Sequence, residues 1–537
     1  MKTFKLTIRE KNKKKTLSLD KGTLISKVLQ DHGISLDTPC GGYGSCGKCR
    51  IRYLSSPPES TPAEKKNIPQ ESLDHGIRLA CQHHVTEDLK IKIEGIVTQK
   101  GLHILSDGIE LESELNPDIP GGIFIKNPLG LAVDIGTTTL VVTLHNLKSG
   151  KRLGIRSRSN PQSKYGTDII SRANAATESA EDAKTLQELI IKAINHLIRD
   201  LTKHPKDIVH VVMAGNTVMT HILLGLSIDS LVTAPYIAPV TDLQILEGAD
   251  SGLAMHPRGK VTVLPGIGSF IGGDIAADLL VCREILPQNA TYLLMDLGTN
   301  CEIVLKTPEF SVASSAPAGP VMEGAGITCG MQAEPGAVSD LFFNGKGRFQ
   351  AVTIDNQAVS GICGSGLIHS IHTLWKQMLI TDDGRFVEKI PRKGFRIDRH
   401  VYLSPQDIRA YQMAKGAIAA TRKMLLQDAG LSPQDLDFLV LAGGFGHYIR
   451  PDAGMETGIF PSLPEDAFKY LGNGSLAGCE LILKNKDYVF VVQQLAEETN
   501  HSELAGRPDF QEIYVMNMGV TRDEVQGGNL PQRGQRR

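Results

Sequence analysis

Four of the nine cysteines in this 537-residue chain lie near its N-terminus, at spacings that suit a metal site. Three of them share a glycine-rich loop of the form C-x5-C-x2-C, and the fourth follows further along the chain: Cys40, Cys46, Cys49 and Cys81. Four thiolates can bind zinc or an iron–sulfur cluster. Zinc sites usually combine two short pairs of ligands, whereas here one long loop is completed by a distant cysteine. The spacing therefore favours an iron–sulfur cluster, with zinc as the alternative.

The cysteine loop resembles that of the [2Fe–2S] ferredoxins. Its five-residue first gap departs from the plant-type C-x4-C-x2-C spacing and is similar to the adrenodoxin-like branch. The resemblance implies that all four cysteines bind one [2Fe–2S] cluster and that residues 1–96 form a ferredoxin-like α+β domain of the β-grasp type.

Alternation of apolar and polar side chains predicts a hairpin over residues 2–20, and a short helix is predicted over 24–32. The pair His83-His84 is predicted at the surface.

A second chemical pattern, an acid followed by glycine and small polar residues, occurs twice. Asp134-Ile-Gly-Thr-Thr-Thr139 and Asp296-Leu-Gly-Thr-Asn300 each stand between two apolar runs, which predicts a strand, a tight turn and a second strand. The glycine lets backbone N–H groups approach a phosphate, and the aspartate suits a hydrated Mg²⁺. One copy alone could be an ordinary hairpin, but two copies indicate an internal repeat.

Further segments repeat in the same order: Val211–Asn216 with Leu439–Gly444, and Leu264–Ser269 with Leu471–Ser475. From the aspartate to the alanine of the Ala-Gly turn there are 80 residues in the first copy and 146 in the second. The second copy therefore contains an insertion of 66 residues. Runs of small residues in this insertion, at 314–331 and 361–366, predict adaptable loops near a ligand.

Two mixed α/β halves with acid-tipped hairpins resemble the acetate and sugar kinase, Hsp70 and actin (ASKHA) superfamily. The resemblance implies an α/β, two-lobed actin-like ATPase fold over residues 129–520. Its two halves are expected at about 129–288 and 289–520, and their hairpins are expected to frame one nucleotide site.

The same resemblance assigns roles to individual residues. It implies that Asp134 and Asp296 hold Mg²⁺–ATP through water, and that Asp274, at the start of a connecting helix, positions the attacking water. An N-cap is the alternative role for Asp274. Two phosphate loops and an adenosine motif are the other implied nucleotide contacts: Gly136, Thr137, Thr138, Gly298, Thr299, Asn300, Gly443, Gly444 and Gly446.

The composition excludes several classes of protein. A net charge of −2 argues against a general nucleic-acid binder, and no apolar run is long enough to predict a membrane span. The lysine-rich start lacks the apolar stretch of a signal peptide, so a cytoplasmic protein is expected, in which clustered cysteines bind metal rather than form disulfides. The other five cysteines lack ligand spacing and are predicted to lie in the core: Cys282, Cys301, Cys329, Cys363 and Cys479.

Two segments are expected to lie outside the folded domains. Residues 97–128 are rich in glycine, proline, serine and acids, which predicts a linker that tethers the N-terminal domain loosely. Residues 521–537 are polar and are predicted to be a disordered tail.

The whole architecture resembles the ATP-dependent reductive activators of corrinoid proteins. In that family, one electron passes from a [2Fe–2S] cluster to Co(II), giving the Co(I) form of a partner corrinoid protein in a methyltransferase or O-demethylase system. The resemblance also implies a low-potential electron donor such as ferredoxin or flavodoxin. An ATPase fits this role because each 59 mV of uphill one-electron transfer costs about 1.4 kcal/mol. Longer relatives carry an extra small domain after the linker, which this sequence lacks.

Two alternative functions remain open from the sequence. Activators of 2-hydroxyacyl-CoA dehydratases share the nucleotide fold but hold a [4Fe–4S] cluster between two subunits, whereas Cys40 to Cys81 offer four ligands in one chain. The other alternative is a redox sensor that binds nucleotide without hydrolysing it.

Overall fold

The computed structural model describes most of the chain. The described ranges are 3–10, 13–31, 49–93, 109–166, 168–298, 300–344, 348–446 and 448–520. Three predicted site residues, Cys40, Cys46 and Thr299, lie outside these ranges, as does the predicted tail. The chain packs into two compact units, Met1–Ile285 with Gly472–Asn500, and Leu286–Leu471 with His501–Arg537.

The described residues of the N-terminal domain form five strands and three short helices: β1 (Thr3–Glu10), β2 (Lys13–Asp20), β3 (Arg50–Tyr53), β4 (Ile77–Leu79), β5 (Leu89–Ile93), α1 (Ile25–Asp31), α2 (Pro62–Asn67) and α3 (Gln70–Asp74). The sheet order is β2-β1-β5-β3-β4, with β1 antiparallel to β2 and parallel to β5. Leu6 and Ile8 of β1 lie in the hydrophobic core, whereas Lys5 and Arg9 on the other face are exposed, as expected for a sheet with one face on the core. The predicted hairpin and helix are confirmed.

The rest of the first unit is built on a six-stranded sheet: β6 (Leu129–Ile135), β7 (Thr139–Asn146), β8 (Arg152–Ser159), β9 (Ile208–Gly215), β10 (Gln244–Glu247) and β11 (Lys260–Val263). Its order is β10-β11-β9-β6-β7-β8. β9 is buried along its whole length, which is typical of a strand covered on both faces. Its helices are α4 (Ile169–Glu178), α5 (Ala180–Leu201), α6 (Thr217–Leu224), α7 (Asp229–Val232) and α8 (Gly273–Ile285).

The second unit contains a similar large sheet, which begins with β12 (Tyr292–Leu297), β13 (Cys301–Lys306) and β14 (Ser311–Ala316). Two smaller sheets follow in the chain and are formed by β15 (Ala337–Asn344), β16 (Arg348–Thr353), β17 (Gly361–Ile362), β18 (Phe395–Arg396) and β19 (Tyr402–Leu403). The large sheet is completed by β20 (Phe438–Ala442), β21 (Phe468–Gly472) and β22 (Thr499–His501). The large sheet has the order β21-β20-β12-β13-β14-β22. Its helices are α9 (Gly364–Lys376), α10 (Pro405–Asp428), α11 (Gly443–Gly446) and α12 (Pro451–Glu456).

Residues Gly472–Asn500 belong to the first unit and form two helices, α13 (Gly474–Lys484) and α14 (Tyr488–Glu498). The chain then re-enters the second unit with α15 (Pro508–Met516). α13 packs on α8, β6 and β9. A β-carbon on Gly478 would lie 2.6 Å from the carbonyl oxygen of Ala277 in α8, so only glycine permits this helix crossing. Small residues at this crossing therefore let the two helices pack closely.

The insertion is more ordered than the sequence predicted. Ser314 lies in β14 and Gly361 in β17, and β17 belongs to a three-stranded sheet of order β16-β15-β17. Gly366 belongs to the first turn of α9, where a β-carbon would overlap the carbonyl oxygen of Val338. The prediction of loops is wrong for 314–316, which lie in β14, and for Gly361 and Gly366, whose lack of a side chain permits close packing. Residues 317–331 form no strand and no α-helix, as predicted.

The described end of the predicted linker is fixed to the first unit. We call residues 109–122 the strap. The carboxylate of Asp118 lies 2.6 Å from the Lys260 ammonium, and the Arg258 guanidinium donates to the carbonyl oxygens of Gly121 and Gly122. The expectation of a loose tether is therefore wrong for this stretch, because its backbone and side chains are bonded to β11 and the preceding turn.

Candidate functional site

The two acid-tipped hairpins occupy equivalent positions in the two large sheets. Asp134, near the end of β6, pairs across the parallel ladder with Ala214 of β9, and Asp296, near the end of β12, pairs with Ala442 of β20. Each aspartate strand also forms an antiparallel hairpin with the strand that follows it. The predicted internal repeat is thus confirmed by register as well as by sequence.

Asp134 is held by the start of α13. The Asn473 side-chain amide donates to Oδ2 of Asp134 at 2.8 Å, and the Ser475 hydroxyl donates to Oδ1 at 3.1 Å. Burial raises the pKa of Asp134 to about 6, although these two hydrogen bonds favour the ionised form. Neither Asn473 nor Ser475 is among the site residues that the sequence predicts, although both lie in the repeated segment Leu471–Ser475, which is the signal that can identify them.

Asp274 forms a second acidic group beside Asp134. It lies in the first turn of α8, where its Oδ1 accepts a hydrogen bond from the Ile275 amide at 2.9 Å. Burial, together with the negative charge of Asp134, raises the pKa of Asp274 to about 7. A divalent cation can bind two neighbouring carboxylates, because its charge offsets their mutual repulsion. A carboxylate with a pKa near 7 is also suited to accepting a proton from water.

This acidic pair gives a pH-dependent stability prediction. The pKa of Asp274 rises from 3.8 to about 7 on folding. The folded protein therefore loses stability as the pH rises from 4 to 7, because the unfolded chain ionises this carboxyl group more readily than the folded protein does. Asp274→Asn keeps a neutral side chain at every pH. We expect it to raise the free energy of unfolding of the nucleotide-free protein by about 2 kcal/mol at pH 8, allowing for partial exposure, and by almost nothing at pH 4.

Urea denaturation of the metal-free protein across this pH range measures the difference. The control is Asp250→Asn at an exposed acid of the same unit, which should change stability equally at both pH values. A gain for Asp274→Asn that is the same at pH 4 and pH 8 would contradict the assignment.

The turn of the first hairpin is braced by a buried asparagine. The Asn160 side chain donates to the carbonyl oxygen of Gly136 at 3.0 Å, and its backbone amide donates to Thr138 at 2.8 Å. A β-carbon on Gly136 would lie 2.5 Å from the carbonyl oxygen of Thr139. Thr137 and Thr138 are partly exposed. The turn is thus fixed in shape while its hydroxyl residues stay accessible to a phosphate.

The second hairpin meets the glycine-rich α11. Gly443 has φ +81°, and a β-carbon there would overlap the Asp296 carboxylate and lie 2.7 Å from the carbonyl oxygen of Leu297. The Gly298 amide donates to the carbonyl oxygen of Asn300 at 2.9 Å, which closes the turn. The structure therefore brings Asp296, Gly298, Asn300 and Gly443 together. Gly444 and Gly446 follow in the same helical turn, the first exposed and the second buried.

Gly443→Ala should destabilise the protein by about 3 kcal/mol and weaken ATP binding at least tenfold, because it combines a left-handed backbone with crowding against Asp296. Gly430→Ala is the matched control, since Gly430 has φ +67° and no heavy atom within 4 Å of an added β-carbon. The control should cost about 1 kcal/mol from backbone strain alone and leave ATP binding intact. Equal effects of the two substitutions on unfolding and on the Kd for ATP would refute the crowding argument.

The described thiols of the N-terminal domain lie together. Sγ of Cys49, just before β3, is 3.3 Å from Sγ of Cys81, and both side chains are buried. The Ala80 amide donates to the carbonyl oxygen of Cys49 at 2.9 Å, which holds the two segments side by side. Two adjacent, buried thiols fit the donor chemistry of an iron–sulfur or zinc site.

A buried carboxylate supports the Cys81 segment. Glu64 of α2 accepts hydrogen bonds from the Leu79 amide at 2.6 Å and from the His83 ring at 2.9 Å. Burial of Glu64 opposes its ionisation, but these bonds outweigh it and lower its pKa. The prediction that His83 lies at the surface is wrong because its ring is needed as a partner for Glu64, whereas His84 is exposed.

The remaining cysteines behave largely as predicted. Four are buried, and Cys329 is partly exposed. Burial raises the pKa of the Cys301 and Cys479 thiols, so these two are poor metal ligands and poor nucleophiles.

Models of known protein families match three consecutive parts of the chain. Residues 8–86 match the 2Fe-2S iron-sulfur cluster binding domain, 129–284 the RACo middle region, and 290–527 the C-terminal domain of RACo, the ASKHA domain. The predicted fold class, a ferredoxin-like domain followed by an ASKHA fold, is confirmed. Within the described residues, none of the helices is long and apolar enough to cross a membrane.

Individual proteins resemble the chain over most of its length. The corrinoid activation enzyme RamQ of Eubacterium limosum is 32% identical, covering 78% of this chain and 74% of that protein. The [Co(II) methylated amine-specific corrinoid protein] reductase of Methanosarcina barkeri is 23% identical, covering 72% and 76%. A solved structure of a reductive activator for corrinoid, iron-sulfur protein superposes with a TM-score of 0.67 and 26% identity, covering 97% of this chain and 99% of the other.

Proposed function

Because the chain belongs to the family of ATP-dependent reductive activators of corrinoid proteins, we propose that it uses ATP hydrolysis to drive the one-electron reduction of Co(II) to Co(I) in a corrinoid protein. The partner would belong to a methyltransferase or O-demethylase system. The observation that carries this proposal is that one chain combines a buried thiol pair in a 2Fe–2S-type domain with an acidic pair in an ASKHA fold.

We propose Cys40, Cys46, Cys49 and Cys81 as the ligands of one [2Fe–2S] cluster. The proximity and burial of the Cys49 and Cys81 thiols support their share of this assignment. When bound, the cluster supplies a one-electron carrier. A ferredoxin or flavodoxin would be a suitable donor of low potential.

For the nucleotide, we propose that Asp134 and Asp296 each bind the Mg²⁺ of Mg²⁺–ATP through water. Asp274 would orient the attacking water and accept its proton, which its pKa of about 7 supports. The backbone of the two hairpin turns would hold the phosphates, through Gly136, Thr137, Thr138, Gly298, Thr299 and Asn300. The glycines of α11, Gly443, Gly444 and Gly446, would flank the adenosine because they leave room for a flat ring system.

The domain limits and the location are part of the proposal. We place the cluster domain at residues 1–96 and the nucleotide-binding domain at 129–520. The structure adds that Gly472–Asn500 packs with the first unit, because α13 rests on α8 and the first sheet. We also propose a cytoplasmic location, since reducing conditions keep cysteine ligands available to a metal.

Hydrolysis of ATP in the presence and absence of a Co(II) corrinoid protein tests the proposal. The anaerobically purified protein, loaded with iron and sulfide, should hydrolyse ATP faster when the corrinoid protein is added. A redox sensor would bind ATP without turnover, and an activator of a 2-hydroxyacyl-CoA dehydratase would not respond to a corrinoid protein. Either of these two results would overturn the proposal.

A further inference from the structure

α13 joins the proposed nucleotide site to the strap. At its start, Asn473 and Ser475 donate hydrogen bonds to the Asp134 carboxylate at 2.8 and 3.1 Å. At its other end, the carbonyl oxygen of Lys484 accepts from the backbone amide of Asn116 at 2.8 Å. An 11-residue helix spans about 16 Å. One helix therefore contacts Asp134 at one end and the chain that leads back to the N-terminal domain at the other.

The contact between α13 and the strap is more than one hydrogen bond. The Lys486 amide donates to the carbonyl oxygen of Asn116 at 2.9 Å, so Asn116 pairs like a strand residue with the chain just after α13. The Asn116 side chain also donates to Asp487 at 3.2 Å, and the Lys484 ammonium donates to the carbonyl oxygen of Leu111 at 3.0 Å. A displacement of this end of α13 must either move the strap or break these bonds.

The helix itself is suited to move as a rigid body. Residues Gly474–Leu483 are buried, and tight packing resists local bending of the helix. Where it crosses α8, Gly478 lies against Ala277, so both contacting residues are small. Small residues at a helix crossing permit the sliding that is seen in shear movements.

The nucleotide can bias the position of α13 through Asp134. In this structure both carboxylate oxygens of Asp134 accept hydrogen bonds, one from Asn473 and one from Ser475. A hydrated Mg²⁺ would compete for the same oxygens and would also relieve the repulsion between Asp134 and Asp274. The hydrogen bonds to α13 then differ between the free and the bound states, which is the condition for a ligand to shift an equilibrium.

We propose that α13 and the strap form a coupling element, by which nucleotide occupancy at Asp134 changes the hydrogen bonding of the strap and thereby controls the delivery of the N-terminal domain to the partner. Asn116 is the positioning residue of this element. This inference rests on the proposed function and adds to it a physical route from the nucleotide site to the tether.

Hydrogen exchange of the full-length protein tests the route without relying on activity. Exchange is followed by mass spectrometry on peptides that contain Asn116 and Lys486, with and without Mg²⁺ and a non-hydrolysable ATP analogue. We expect exchange of both amides to change at least fivefold on binding, and the amide of Thr202, which bonds to the carbonyl oxygen of Ile198 at 2.9 Å in the same unit, to stay unchanged. Binding of the analogue without a change at Asn116 and Lys486 would overturn the inference alone. Absence of nucleotide binding would overturn the proposed function and the inference with it.

A pair of proline substitutions tests the consequence for electron delivery. Asn116→Pro removes the amide that bonds to Lys484. Glu114→Pro is the matched control, because Glu114 is exposed and its amide makes no hydrogen bond to the described residues. For Asn116→Pro we expect the visible spectrum of the cluster to be retained and ATP hydrolysis to stay within twofold, while the Co(I) formed per ATP falls about tenfold. Glu114→Pro should match the unsubstituted protein. An unchanged yield of Co(I) per ATP in Asn116→Pro would contradict the proposal.

Discussion

Asp296→Asn should lower the rate of ATP hydrolysis by about 10²–10³-fold while leaving the iron–sulfur spectrum intact. The substitution keeps the shape of the side chain but removes the charge that would hold the hydrated Mg²⁺. The β12–β13 hairpin should remain folded, because its ladder is formed by backbone hydrogen bonds. Asp134→Asn should have a similar effect, since Asp134 occupies the equivalent register position in the first unit.

The loss of ATP hydrolysis must be specific to the Asp134 and Asp296 carboxylates. Asp250→Asn, at an exposed acid, serves as the control and should retain full hydrolysis. Steady-state phosphate release and the visible absorbance of the cluster are measured on the same preparations. ATP hydrolysis that survives both Asp134→Asn and Asp296→Asn would show that the nucleotide site is wrongly placed.

Cys81→Ala should remove the cluster and abolish Co(I) formation, yet leave basal ATP hydrolysis within about twofold. The thiol is buried beside Cys49, and a cluster that needs four ligands is not expected to survive the loss of one. The nucleotide-binding residues belong to other sheets, so their chemistry should persist. Iron content, the EPR signal of the reduced protein and phosphate release give the three readouts.

Cys329→Ala is the matched control for this experiment, because Cys329 is partly exposed and lies in the second unit, far along the chain from the proposed ligands. It should retain two irons per chain and the one-electron EPR signal expected of a [2Fe–2S] cluster. Stoichiometric zinc in place of iron in the unsubstituted, anaerobically purified protein would rule out the cluster assignment.

The sequence was sufficient to predict those features that depend on local pattern. The repeated Asp-x-Gly-Thr turn predicted both hairpins, because a strand, a glycine turn and a strand are encoded within about a dozen residues. The cysteine spacing likewise indicated the type of N-terminal domain, whose fold agrees with the family match to residues 8–86.

Features that depend on contacts between distant segments could not be predicted in this way. The bond from Asn473 to Asp134 joins residues 339 positions apart, and no local pattern specifies which polar side chain at a helix start will face a given carboxylate. The docking of Asn116 after α13 is hidden for the same reason, since a segment rich in glycine and proline has the composition of a free linker. Ser314 and Gly361 belong to strands despite low β-propensity because neighbouring strands supply the ladder.

The most direct test of the central claim is the ATP dependence of Co(I) formation. The reduced protein is mixed anaerobically with a Co(II) corrinoid protein, with ATP, without nucleotide or with a non-hydrolysable analogue, and the absorbance of Co(I) is followed. We predict that Co(I) accumulates only with hydrolysable ATP. Co(I) that appears equally fast without ATP would contradict the account.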